Sequence, residues 1–253
     1  ELVQAIPAGG TVILNADDAR VAAMRSLAAD GVRVLTYGIG ADADVRAEAL
    51  RLTSDGSQFM VTWNNERHDY SIPLAGRHNV SNALAALAAG FVLGYTPQEM
   101  QTGLQRVAVA KMRYEVHEVG AWTFINDAYN ASPSSMAAAL ETTANLYEGR
   151  KIAVLGDMLE LGDAAEEAHR RIGRRVAELG FAALVTYGPQ SRWMHTAAEA
   201  AGCPVCCHAE THEAAAEHLR TLLRDGDTVL FKGSRGMKME AVIALLTSEE
   251  AGH

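Results

Sequence analysis

The sequence predicts an α/β protein in two parts, on three observations. Short β-branched runs alternate with helical stretches along most of the 253 residues. One segment, 45–73, departs from this and shows short alternating runs broken by closely spaced turn signals. After Lys111-Met112-Arg113 the alternation resumes behind a new hairpin, which sets the expected boundary between a part spanning 1–111 and one spanning 112–253.

In chain order, Thr11–Asn15 reads as a strand, Asp17 and Asp18 start a helix running to about Ala29, and Val32–Tyr37 completes a β-α-β unit. Turn signals at Asp55-Gly56 and Asn64-Asn65 divide 45–73 into an antiparallel hairpin or meander. His78–Leu93 is an Ala-rich helix, and Thr96-Pro97 caps another that reaches Val107. This first part is expected to lack strands needed to finish its sheet. In the second part, Tyr114–Val119 and Trp122–Asn126 form a hairpin around Gly120. Strands at Lys151–Leu155, Ala182–Thr186, Pro204–Cys207 and Thr228–Phe231 then alternate with helices. Those helices fall near Ser134–Tyr147, Ala164–Leu179, Ser191–Ala200, Glu213–Leu223 and Lys238–Leu246. Strands separated this way pair mostly in parallel, so the second part is a complete, doubly wound sheet.

The 49% hydrophobic and 21% charged composition is that of a globular chain. No apolar run approaches the roughly 20 residues that span a bilayer. A net charge of −9 argues against a nucleic-acid binder, whose affinity rests on cations neutralising phosphates. A small anion is still compatible, because a few local cations and backbone N–H groups suffice to hold one. Three cysteines in one short stretch, Cys203, Cys206 and Cys207, suit a reducing cytoplasm. No second pair with zinc-like spacing follows them, so no metal is assigned. The start at Glu1, without Met or leader, reads as a cut through a longer protein.

Five stretches carry candidate chemistry. Gly38-Ile39-Gly40-Ala41-Asp42-Ala43 matches a dinucleotide fingerprint in letters, but no helix opens behind it, and a nicotinamide site is rejected. Asn79 and Asn82 lie three apart in the first turn of a helix, where two amides can face a planar heterocycle or Asn79 can simply be the N-cap. Asp127 and Asn130 sit in a dense polar loop just past a strand's carboxyl end, where a carboxylate is suited to ribose hydroxyls; turn or cap duty is the alternative. Asp157, also past a strand end, either meets a substrate ammonium group or caps a turn. Lys232-Gly233-Ser234-Arg235 combines two cations with glycine-supported backbone N–H groups, an expected anion or carboxylate site. No Gly-x-x-x-x-Gly-Lys-Ser/Thr occurs in the chain.

VILNADD at 12–18, GRHNVSNALAALA at 76–88, MRYEVHE at 112–118, NDAYNASPSSMAAAL at 126–140, VLGDMLELG at 154–162 and FKGSRGMKMEAVI at 231–243 together resemble the Mur ligases of peptidoglycan synthesis. The stretches occur in that family's order and cover nearly the whole chain. The Asp-x-Tyr-Asn-Ala and Lys-Gly-Ser-Arg motifs resemble the member that adds D-alanyl-D-alanine to UDP-N-acetylmuramoyl-tripeptide. The resemblance implies a partial central ATP-binding domain followed by a complete Rossmann-like C-terminal domain. It implies ATP and Mg2+ as cofactors, with Asn79 and Asn82 facing adenine, Arg113 the phosphates, and Asp127 with Asn130 the ribose side. Lys232, Ser234 and Arg235, with Asp157, would place the dipeptide. The family's phosphate-cradling Gly-Lys-Thr loop, magnesium-binding Glu and His, and carbamylated Lys are expected before Glu1, so no catalytic residue is assigned and the chain alone is expected to be inactive. A folylpolyglutamate- or cyanophycin-type ligase and a non-catalytic nucleotide-binding module are the alternatives.

Overall fold

The computed structural model describes residues 1–107 and 111–250. The chain divides into two compact units, Glu1–Ala108 and Val109–His253.

The first unit holds β1 (Thr11–Asn15), α1 (Ala19–Ala23), β2 (Arg33–Gly38), β3 (Val45–Thr53), β4 (Gly56–Trp63), β5 (Glu66–Ile72), α2 (Arg77–Leu93) and α3 (Pro97–Gln105). The strands form one five-stranded sheet in that order, parallel from β1 to β3 and antiparallel from β3 to β5. The strands of this part nevertheless pair into one continuous sheet. The 45–73 meander joins the β-α-β strands edge to edge, and together they bury Leu35, Val45, Phe59, Val61 and Tyr70 with Leu84 and Leu87 of α2. Asn64 and Asn65 both take positive φ, 49° and 66°, between the paired Trp63 and Glu66, as a two-residue hairpin turn requires. Gly56 is needed for a different reason: a Cβ there would lie 2.5 Å from the Ile72 carbonyl oxygen.

The expected helix from Asp17 to Ala29 is short: α1 covers Ala19–Ala23 and a 3-10 turn follows over Met24–Leu27. Asp18 is its N-cap, accepting from the N–H groups of Arg20 and Val21. Asp17 turns the other way. Its carboxylate accepts the N–H groups of Ile39 at 2.7 Å, Gly40 at 2.9 Å and Ala41 at 2.9 Å. The glycine-rich loop after β2 is thus a genuine anion nest, filled by the protein's own carboxylate. Burial pushes the Asp17 carboxyl up, but the three N–H groups and Arg77 outweigh it and hold the group below the ordinary value of an aspartate. A depressed carboxyl stabilises the fold above its unfolded value and loses that contribution as pH falls through its folded value. Asp17→Ala should therefore destabilise the first unit at neutral pH by about 1 kcal/mol at most, because solvent screens this exposed carboxylate, and flatten its acid-side stability loss. Parallel urea melts of both proteins between about pH 6 and pH 2 would check this; identical slopes would refute it.

The second unit opens with β6 (Glu115–Val119) and β7 (Trp122–Asp127), followed by α4 (Pro133–Leu146), β8 (Lys151–Gly156), α5 (Ala165–Glu178), β9 (Ala183–Tyr187), α6 (Ser191–Ala200), β10 (Cys206–Ala209), α7 (His212–Leu222), β11 (Thr228–Lys232) and α8 (Glu240–Glu250). The sheet order is β10-β9-β8-β11-β7-β6, parallel except for the antiparallel β6. β10 begins two residues later than Pro204 because proline has no N–H for a ladder and Cys203 still closes the turn after α6 through Ala198. Both faces are covered, so the central strands read as apolar runs: all five residues of β11 are buried. Phe124 and Phe231 meet edge to face at 5.2 Å on one side of this core. Among the described residues, no helix is long and apolar enough to cross a membrane.

Candidate functional site

Three adjacent parallel strands, β7, β11 and β8, end side by side, and the loops leaving them carry most of the candidate residues. Lys232 ends β11 in register with Asp127 at the end of β7. Its ammonium lies 2.6 Å from Asp127 Oδ2 and also donates to the carbonyls of Asn130 at 2.9 Å and Asp127 at 3.4 Å. The other carboxylate oxygen, Asp127 Oδ1, accepts the Tyr114 N–H at 3.1 Å.

Much of the polar density in the 126–135 loop is spent on its own shape. Asn126 Oδ1 accepts from Ala128, and Asn130 Oδ1 from Ala131. Ser132 caps α4 in a capping box with Ser135. Tyr129, 44% exposed, and Asn130 are turned outward, as are Ser132 and Ser134 at the start of α4.

Arg113 is presented by strained backbone. Met112 and Tyr114, on either side, both take positive φ, 59° and 56°, which non-glycine residues rarely adopt. That conformation is held by the Tyr114 N–H on Asp127, by the Met112 carbonyl accepting from Tyr129, and by the buried Tyr114 hydroxyl, 2.9 Å from Thr143 Oγ1. Burial pushes the Tyr114 phenol well up despite this hydrogen bond. The exposed Arg113 guanidinium consequently lies over the Tyr129 ring, 4.2 Å from its centroid. Tyr129 is the aromatic residue of the Asp-x-Tyr-Asn-Ala motif, but the sequence reading gives it no role of its own.

Three of the residues assigned to substrate are buried, and the structure gives them other work. Lys232 and Ser234 are 3% and 4% exposed, and Asp157 is 1% exposed. The Ser234 hydroxyl accepts the Leu159 N–H at 2.9 Å and donates to the Ala131 carbonyl at 3.3 Å, stitching the β8 and β7 loops to its own. The Asp157 carboxylate accepts the N–H of Ser191 at 2.6 Å and of Gln190 at 3.2 Å, at the start of α6, so of its two sequence readings capping is the one realised. Nor is the Lys232–Arg235 loop an open anion cradle. The Ser234 N–H is spent on the Asp157 carbonyl, and Gly233 serves close packing: a Cβ there would lie 3.2 Å from Gly156 Cα. Arg235 keeps access to solvent. It is about half exposed and pairs with Glu240 at 2.7 Å.

Asn79 and Asn82 belong to the first unit. The N-cap of α2 is Gly76 at φ 98°, so Asn79 is not the cap; it lies inside the first turn and its amide donates to the Ala75 carbonyl at 2.8 Å. Asn82 follows on the same face and is exposed. His169 is a satisfied core residue, with Nδ1 on the Ala165 carbonyl at 2.7 Å and Nε2 accepting from Met158 at 2.9 Å.

Residues 1–90 match the Mur ligase middle domain, and residues 112–235 match the Mur ligase, glutamate ligase domain. The chain belongs to the Mur ligase family. The Bacillus subtilis UDP-N-acetylmuramoyl-tripeptide–D-alanyl-D-alanine ligase is 36% identical to this Mur ligase chain over 214 residues, 82% of the chain and 46% of that relative. A crystal structure of MurF from Acinetobacter baumannii superposes with a TM-score of 0.83 at 31% identity, over 94% of this chain and 51% of that one. MurF from Thermotoga maritima, solved in complex with ADP, shares the fold with a TM-score of 0.79 at 22% identity, over 96% of this chain and 54% of that one. This Mur ligase chain thus spans about half the length of the curated relatives it matches.

Proposed function

We propose that this chain is the nucleoside- and amine-side part of an ATP-dependent ligase that joins D-alanyl-D-alanine to UDP-N-acetylmuramoyl-tripeptide in the cytoplasm. The observation that carries the proposal is the braced Asp127 carboxylate at the end of β7, beside the exposed Arg113–Tyr129 pair, in a chain similar over most of its length to ligases of that name. In this reading Asp127 and Asn130 hold the ribose, Arg113 meets phosphate oxygens, and Asn79 and Asn82 face adenine. Arg235 exchanges Glu240 for the dipeptide carboxylate, which an Arg fork can grip with two hydrogen bonds. Residues 1–111 are read as the end of an ATP-binding domain and 112–253 as the C-terminal domain, with nucleotide-facing residues in both.

ATP, when bound, would supply the γ-phosphoryl group that activates a carboxylate with loss of ADP, and attack by an amine would form the amide and expel inorganic phosphate. The chain's own residues bind and orient around that chemistry. Mg2+ belongs to such a reaction because it spreads phosphoryl charge. Among the described residues no group of three His, Cys, Asp or Glu side chains converges as a cation requires, so Mg2+ is given no ligands from them.

The test is phosphate release by the full-length gene product with ATP, Mg2+, UDP-N-acetylmuramoyl-tripeptide and D-alanyl-D-alanine. Release that depends on both amide partners is expected, whereas the 253-residue chain, which has no Gly-x-x-x-x-Gly-Lys-Ser/Thr loop, should release none. Asp127→Ala should raise KM for ATP roughly tenfold or more. Arg235→Ala should raise KM for the dipeptide and leave KM for ATP unchanged. Turnover indifferent to D-alanyl-D-alanine would remove the assignment.

A further inference from the structure

We infer that Lys232 is a positioning residue for the nucleotide: it sets the Asp127 carboxylate for the ribose and does not itself touch substrate. The inference rests on the reading of Asp127 as the ribose ligand. It begins from the saturation of the ammonium. An ammonium has three hydrogens, and Lys232 Nζ has three acceptors within reach: Asp127 Oδ2 at 2.6 Å, the Asn130 carbonyl at 2.9 Å and the Asp127 carbonyl at 3.4 Å. With the side chain 3% exposed, there is neither a spare hydrogen nor a route for a dipeptide carboxylate to reach it.

The second step concerns what this does to Asp127. A carboxylate held at one oxygen still turns about its last torsion, which is broad and soft. Here both oxygens are held, Oδ2 by Lys232 of β11 and Oδ1 by the Tyr114 N–H of the strained turn before β6. The carboxylate plane is therefore fixed from two separate elements. The Asp127 side chain is 15% exposed, so a ligand hydroxyl can still reach it. The same ammonium also ties down the Asn130 carbonyl, so the far end of the loop moves with the near end. Holding a binding group in place beforehand removes the ordering cost at the moment the ligand arrives.

The reaction to ribose hydroxyls reads this out directly. Calorimetric affinities for ATP and 2′,3′-dideoxy-ATP would be measured on the full-length gene product without the amide substrates, for wild type, Asp127→Asn, Lys232→Met and Lys232→Arg. Wild type should prefer ATP by on the order of tenfold, the value of a hydrogen bond to a charged group. Asp127→Asn and Lys232→Met should each bring the preference close to one while changing dideoxy-ATP affinity little, and Lys232→Arg, which keeps the charge, should retain part of it. If Lys232→Met does not fold, Lys232→Gln gives the same reading with a neutral donor. Should Asp127→Asn erase the preference while the folded Lys232 variants keep it, the positioning role is overturned and the ribose assignment stands. Equal loss of both nucleotides in the Lys232 variants likewise overturns it, as a merely structural ion pair. A wild type without preference would remove the ribose assignment and the inference with it.

Discussion

Placing one methyl group on Gly173 is expected to destabilise the second unit by about 3 kcal/mol, at the upper end of what overpacking usually costs. Gly173 lies on the buried face of α5 against α6, and a Cβ built there would be 2.1 Å from the Met194 carbonyl oxygen, 2.9 Å from its carbonyl carbon and 3.0 Å from the Ala198 nitrogen. These are backbone atoms of a helix, so no side chain can swing aside; the two helices must part. Parting them loosens the packing of Ile172 and Val176 on one side and Met194 and Ala198 on the other, all within 1% of full burial. For a unit of this size the loss corresponds to a fall in melting temperature of roughly 6–12 °C. Gly103 is the contrast. It lies on the exposed side of α3, where a Cβ would meet nothing within 4 Å, so Gly103→Ala should stabilise the first unit by roughly 0.5–1 kcal/mol. Thermal and urea melts of both variants decide the matter. A Gly173→Ala protein within about 1 kcal/mol of wild type would show that α5 and α6 separate easily, against the packing described.

Asp157→Ala should cost about 2–3 kcal/mol, more than an ordinary surface cap. Two backbone N–H groups at the start of α6 lose their acceptor inside the protein, and the positive end of the helix dipole loses its carboxylate. The surroundings cannot collapse to help, because Gly188 at φ 109° already brings the chain within contact of this carboxylate. The same variant separates capping from substrate binding. A cap predicts a lower melting temperature with KM for the amine substrate unchanged in the folded enzyme. A substrate ligand predicts the reverse, and that result would restore Asp157 to the binding surface.

Most of the helices and strands could be read from the sequence because their signals are local. Thr96-Pro97 with Glu99 caps α3, Asn64-Asn65 turns a hairpin, and β11 announces its burial on both faces by an unbroken apolar run. The helix after Asp17 was read too long, since Asp17 and Asp18 look alike in sequence yet only Asp18 caps α1. The candidate residues of the second unit lie in loops leaving the carboxyl ends of adjacent parallel strands, where an open α/β sheet presents such loops.

Which of those residues face a ligand and which only build the site was a different question. Sequence alone determined the family, the alternation of strands and helices, and the three strand-end loops with their charged residues. Tertiary structure decided that Asp17 fills the glycine loop 22 residues away, that Asp157 caps a helix 34 residues away, and that Lys232 is spent on Asp127 across 105 residues. The physical reason is the same in all three cases. A charged group's role is set by the donors and acceptors that surround it once water is excluded, and those come from parts of the chain that only the folded sheet brings together.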